Sequence, residues 1–369
     1  MRQGYAPPPP VAKPEGVNTP RQAPCASGGP FFLPETMTEA TTEKGILQSE
    51  FKPARWLNHR HLQTMFPSLP WAWRKWPAMR REVLELPDGD DTAVDWLSEA
   101  DDLPQSAPLL VILHGLEGSA ESSYARMLMQ AAYERGWRPC VLHFRDCGDY
   151  RNRLPRRYHA GETSDIRYFL RRLQDHGQVG PMIAVGYSLG GNILLKYLGE
   201  SGGGSRLVAA GAVCVPLDLH ACSEALNTGF SKIYQHYLLN HMKSSVGRKF
   251  DEHTAAFDWK RAMEAKTFAE FDDAVTAPLH GFEGMNDYYD KCSSAQFLKD
   301  IAKPTLIVNS LDDPFMTPGV IPHHDKLSEH VTLEIAHTGG HVGFIEGGTP
   351  WRPEYYLPRR MLGFLQGHL

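Results

Sequence analysis

Gly186-Tyr187-Ser188-Leu189-Gly190 stands between an apolar run, Met182-Ile183-Ala184-Val185, and an amphipathic one, Ile193-Leu194-Leu195-Lys196-Tyr197-Leu198. A G-x-S-x-G pentapeptide with a strand before it and a helix after it reads as a nucleophile elbow. The outer glycines lack a Cβ, so strand and helix can approach closely around a sharp turn. That turn lifts the Ser188 hydroxyl clear of the backbone and makes Ser188 the candidate nucleophile.

Outward from the elbow, short apolar runs alternate with helical patterns. Leu109–Leu113, Pro139–Phe144, Leu207–Val215, Thr305–Ser310 and Val331–Ala336 read as buried strands. Tyr124–Arg135, Ser164–Asp175 and Arg359–Gln366 read as helices. Arg81–Leu86 and Thr92–Glu99 form a predicted hairpin around Pro87-Asp88-Gly89. Continuous apolar strands followed by helices predict an α/β fold, with a mostly parallel central sheet covered by helices on both faces. From Pro216 to about Asp300 the alternation stops, and Phe230, Ile233, Tyr234, Tyr237 and Leu238 recur at helical spacing. This interval, 216–300, is expected to be a helical cap over the site.

A serine hydroxyl needs a base, and the base needs an orienting acid. Leu311-Asp312-Asp313-Pro314 follows one strand, and His337-Thr338-Gly339-Gly340-His341-Val342-Gly343 follows the last. Both lie past strand C-termini, where open α/β sheets carry their sites. Pro314 biases Asp313 toward an extended backbone, so Asp313 is the expected acid. Asp312 is assigned to an Asx-turn. His341, among glycines that let the loop fold back, is the expected base; His337 abuts the strand. The oxyanion hole is expected from the N–H groups of Leu189 and of Leu116, the latter within His114-Gly115-Leu116-Glu117-Gly118-Ser119. His114 is read as shaping that loop.

Composition bounds the rest. Net charge is −5, with no clustered basic stripe, which argues against nucleic-acid binding. Arg145, Arg151, Arg153, Arg156 and Arg157 read as a solvated, salt-bridged surface loop rather than a phosphate site. Metal-ligand spacing and a G-x-G-x-x-G loop are both absent, so no cofactor or metal is expected. Six cysteines without a C-x-x-C pair read as reduced thiols. Residues 1–45 read as a disordered Pro-rich tail, with Met37 an alternative start. Residues 46–80 hold Trp56, Phe66, Trp71, Trp73 and Trp76 and read as an N-terminal arm packed over the domain at 81–369, in preference to an interfacial anchor. With neither a leader pattern nor a run near the ~18 residues of a spanning helix, the expectation is a cytoplasmic protein whose membrane association is at most peripheral lipid contact.

Together these stretches resemble the YheT-like branch of the α/β-hydrolase superfamily. The similarity rests on Trp56-Leu57-Asn58-His59-Arg60-His61-Leu62-Gln63-Thr64, the 114–119 loop, Asn152-Arg153-Leu154-Pro155 and Gly186–Asn192. Asp312-Asp313-Pro314-Phe315 and Gly339–Phe344 complete it. It runs from about Phe51 to the C-terminus. The resemblance implies an α/β-hydrolase fold and a Ser188, Asp313, His341 triad. It also implies carboxylic ester hydrolysis on short- to medium-chain acyl or lipid esters. Acyl transfer to an alcohol by the same acyl-enzyme remains open, since some eukaryotic relatives make fatty acid ethyl esters. A non-catalytic binding protein on this fold is disfavoured by the complete triad.

Overall fold

The structure, a computed structural model, describes residues 45–69 and 78–369. The tail, apart from Gly45, lies outside the described residues, as do Trp71, Trp73 and Trp76.

The strands in chain order are Ile46–Gln48 (β1), Met79–Glu85 (β2), Asp91–Leu97 (β3), Leu109–Leu113 (β4), Arg138–Leu142 (β5), Met182–Tyr187 (β6), Leu207–Val213 (β7), Thr305–Ser310 (β8) and Val331–Ala336 (β9). They form one sheet in the order β1-β9-β8-β7-β6-β4-β5-β3-β2. The β2–β3 and β3–β5 pairs are antiparallel and every other pair is parallel. Ile345–Thr349 (β10) and Arg352–Tyr355 (β11) make a separate hairpin.

The helices are Arg60–Met65 (α1), Ser123–Tyr133 (α2), Ser164–Asp175 (α3), Leu189–Ser201 (α4), Leu219–Leu226 (α5), Ser231–Lys249 (α6), Trp259–Glu264 (α7), Phe268–Phe271 (α8), Ala277–His280 (α9), Met285–Cys292 (α10) and Tyr356–Gln366 (α11). A π-helical stretch, Asp272–Thr276, joins α8 to α9.

β4 explains why its sequence is apolar throughout. Leu109, Val111 and Leu113 pack with Phe169 of α3 and Leu194 of α4 on one face. Leu110 and Ile112 pack with Leu128 of α2 and Met361 of α11 on the other. All five residues are fully buried. Each such side chain contributes about 1.5–3 kcal/mol of hydrophobic stabilisation, so a polar residue on either face would be costly. This is the expected parallel sheet with helices on both faces.

Three features depart from the reading of the sequence. β1, inside the arm, joins the sheet in parallel beside β9. The 345–355 hairpin and α1 were not expected. The insertion between β7 and β8 is helical, with no strand among its residues, but its apolar spacing does not mark one face: Tyr234 is buried while Phe230, Ile233 and Tyr237 are exposed. Its core is instead built around Leu239, Met242, Val246 and Phe271.

The arginine stretch is ion-paired but not uniformly solvated. Arg145 is buried and meets Asp88, Asp90 and Asp165 at 2.6–2.9 Å. Arg157 is buried against Asp146 and Glu117. Acids from the β2–β3 turn and from α3 converge on this loop, and that drives the arginines inward. Buried charge persists only where it is paired in this way.

Candidate active site

At the end of β6 the chain turns into α4 within one residue. Ser188 has φ 51° and ψ −119°, a strained conformation for a residue with a side chain. A Cβ at Gly186 would stand 2.4 Å from the Gly190 carbonyl oxygen, and one at Gly190 would stand 2.4 Å from that of Leu113. The elbow therefore exists only with glycine at both positions. The Ser188 N–H is bonded to the Val213 carbonyl at 2.8 Å, while Leu189 opens α4. First-turn N–H groups have no partner within their own helix.

Asp313 is buried in the loop after β8. Its Oδ2 accepts from His341 Nδ1 at 2.8 Å, and its Oδ1 accepts the Phe315 N–H at 2.8 Å. The Asx-turn expected of Asp312 thus belongs to Asp313. Asp312 instead reaches across to accept the Gly340 N–H at 2.9 Å, tying the acid loop to the histidine loop. The His341 ring stacks on Phe315, with centroids 4.0 Å apart. His337 is exposed at the strand end. Ser188 and His341 both line one cavity of about 700 Å³, bounded by the 115–118 loop, α1 and the helical insertion.

The loop after β4 commits most of its N–H groups. Gly115 donates to the Tyr124 hydroxyl, Glu117 to the Tyr158 hydroxyl and Gly118 to the Gly115 carbonyl. Among the described residues the Leu116 N–H makes no hydrogen bond. His114 is fully buried, and burial pushes its pKa down to about 3. Its Nε2 accepts the Phe144 N–H and its Nδ1 donates to the Gly115 carbonyl, so it shapes the loop as a neutral ring.

Sequence reasoning assigned no role to several neighbours. Glu117 has φ 52° and a half-buried position; it accepts from Arg157, Tyr158 and Ser245 of α6. Burial would raise its pKa, but Arg157, Ser245 and Tyr158 outweigh this and hold it below the usual value. Asn192 of α4 donates to the carbonyls of Ala160 and Cys292 and accepts the Ser294 N–H, pinning the elbow helix to the end of the insertion. The α1 segment clamps the histidine loop. Thr64 Oγ1 accepts the His341 N–H at 2.9 Å, and Gln63 exchanges hydrogen bonds with both backbone groups of Ile345. A Cβ at Gly343 would stand 2.3 Å from the Gln63 carbonyl oxygen, so only glycine admits this approach. The 56–64 motif was visible in the sequence; its distant partners were not.

Cys214, Asp313 and His341 offer donor atoms within 4.8 Å of one another. Burial and the Asp313 charge hold the Cys214 thiol well above its ordinary pKa, and its sulfur accepts the Val342 N–H at 3.2 Å. A neutral thiol is a poor metal ligand, so the trio suits a hydrogen-bonded cluster better than a metal centre.

Comparison with known proteins agrees with this architecture. Residues 108–348 match the family described as the alpha/beta hydrolase fold. Over 331 residues the chain is 44% identical to YheT of Escherichia coli (strain K12), a candidate esterase by its name, covering 87% of this chain and 94% of that one. The chain is a YheT-like α/β-hydrolase. This hydrolase is also 29% identical to the phospholipase ABHD3 of Homo sapiens, over 87% of its own length and 80% of the relative's. Its fold matches the Pyrococcus furiosus esterase Pf2001 with a TM-score of 0.52, at 13% identity, over 79% of this chain and 91% of that one. These relatives place it among hydrolases of the esterase and lipase type. No helix among its described residues is long and apolar enough to cross a membrane.

Proposed function

We propose that this hydrolase cleaves carboxylic esters through Ser188, His341 and Asp313. The observation that carries the reading is the Asp313–His341 hydrogen bond through Nδ1, formed beside the cavity that Ser188 lines. With Nδ1 held by the carboxylate, Nε2 is the ring atom left to take the serine proton. Ser188 Oγ attacks the ester carbonyl carbon while His341 accepts its proton. The N–H groups of Leu116 and Leu189 bind the oxyanion. Collapse expels the alcohol, which takes the proton from His341, and water then releases the acid by the same steps in reverse. Asp313 orients the ring and stabilises the imidazolium. The 216–300 insertion caps the site, and the wall formed by Tyr234, Leu238 and Phe271 receives the acyl chain.

Ser188→Ala should lower turnover of p-nitrophenyl esters by ~10⁴- to 10⁶-fold and abolish fluorophosphonate labelling, with the fold intact. Labelling at another serine, or retained activity, would overturn the reading.

A further inference from the structure

Among the described residues eleven large apolar side chains remain substantially exposed. Six of them, Leu62, Met65, Leu69, Phe230, Ile233 and Tyr237, come from just two places, the α1 segment and the start of α6. Scattered exposed apolar residues need no explanation, but this concentration does. The two elements are joined: His61 Nδ1 lies 3.1 Å from the Tyr234 hydroxyl, and its ring packs 4.2 Å from that of Phe230. Met65, Leu69, Ile233 and Tyr237 also line the cavity that holds Ser188, so the exposed surface is continuous with the site.

The charge of this collar is one-sided. α1 and α6 together contain no aspartate or glutamate, although the whole chain is net −5. Lys232 and His236 stand exposed beside Ile233 and Tyr237. Apolar side chains flanked by basic ones, with no acid on the same elements, suit the boundary between lipid headgroups and acyl chains. Anionic headgroups add an attraction for exposed lysine.

We propose that the collar docks on an anionic lipid surface, placing the cavity mouth against it so that a lipid ester enters without crossing water. Docking does not depend on the proposed ester chemistry and can be read without turnover.

The test is flotation of the Ser188→Ala protein with phosphatidylglycerol–phosphatidylcholine vesicles. Leu62 and Phe230 lie on the collar outside the cavity lining. Leu62→Glu combined with Phe230→Glu should lower vesicle association by roughly 10-fold or more. With Ser188 retained, the same pair should leave hydrolysis of a water-soluble acetyl ester unchanged. Lys232→Glu, a change at an exposed position, should weaken association with anionic vesicles and not with neutral ones. Failure of the parent protein to float, or unaltered flotation of these variants, would overturn the proposal. So would a dimer in solution that the collar substitutions dissociate, because a second copy would then be the occupant. Loss of p-nitrophenyl ester activity by Ser188→Ala tests the chemistry separately from either result.

Discussion

Thr64 Oγ1 donates to the Arg60 carbonyl and accepts the backbone N–H of His341, 277 positions further along the chain. A helix of the N-terminal arm, between β1 and β2 in the chain, therefore sets the position of the proposed catalytic base. Thr64→Val should lower kcat by roughly 10- to 100-fold through a small displacement of His341, with KM for an acetyl ester nearly unchanged. Thr64→Ser should restore most of the rate, because it keeps the acceptor. Equal loss in both variants would show that the contact only packs.

The acid loop offers a comparison within one pair. Asp313→Asn should cost ~10⁴-fold in kcat, because the amide misplaces the imidazole tautomer. Asp312→Asn retains an oxygen for the Gly340 N–H and should cost far less. Steady-state kinetics on one ester decides the order, and a reversed order would move the acid to Asp312.

Asp272, in the π-helical stretch, is buried against the hydroxyls of Thr276 and Tyr289 at 2.6 and 2.7 Å. Burial pushes its pKa up from 3.8 to about 6. The folded state then binds the proton more tightly than the unfolded chain does. Its stabilising contribution is present below the unfolded value and is lost as pH rises through about 6. Asp272→Asn should therefore stabilise the protein more at pH 8 than at pH 4, by on the order of 2–3 kcal/mol. Thermal melts at both pH values check this, and an equal effect at each would point to packing.

Leu238 lines the cavity next to Tyr234, on the proposed acyl wall. Leu238→Trp should shorten the accepted chain. An octanoyl ester should lose roughly fourfold in kcat/KM for each methylene contact displaced, while an acetyl ester is nearly unaffected. A chain-length series in which all esters fall together would remove Leu238 from the acyl site.

How far the sequence reached follows from the range of the forces involved. Periodicity located β4, β8, β9 and α3 within a residue or two, because burial on both faces leaves β4 a continuous apolar run and one buried face gives α3 its helical spacing. The elbow and the loops after β8 and β9 were equally legible, since their glycine and acid–proline patterns are local. Ile46–Gln48 was not, because three residues carry no periodicity and their partner is β9, nearly 300 positions away. The helical spacing brought Ile233, Tyr234, Tyr237 and Leu238 to the cavity wall, but it could not show that Phe230, Ile233 and Tyr237 stay exposed, because distant elements decide what covers α6. Likewise, the true role of Asp312 depends on a loop that only the fold brings near.

The clamp of α1 on the 340–345 loop also fixes an order of assembly. During synthesis the arm leaves the ribosome early, yet β9 and Ile345, which receive β1 and Gln63, belong to the last tenth or so of the chain. The arm must wait through nearly the whole translation with these backbone groups solvated. Such long-range closure is slow, because loop entropy is lost before the contacts form. The turn at Ser188, whose partners Leu113 and Val213 also precede His341, can be complete before the proposed base has been synthesised. Competence would then arrive as a late, single event when the 46–65 arm meets the 331–345 segment.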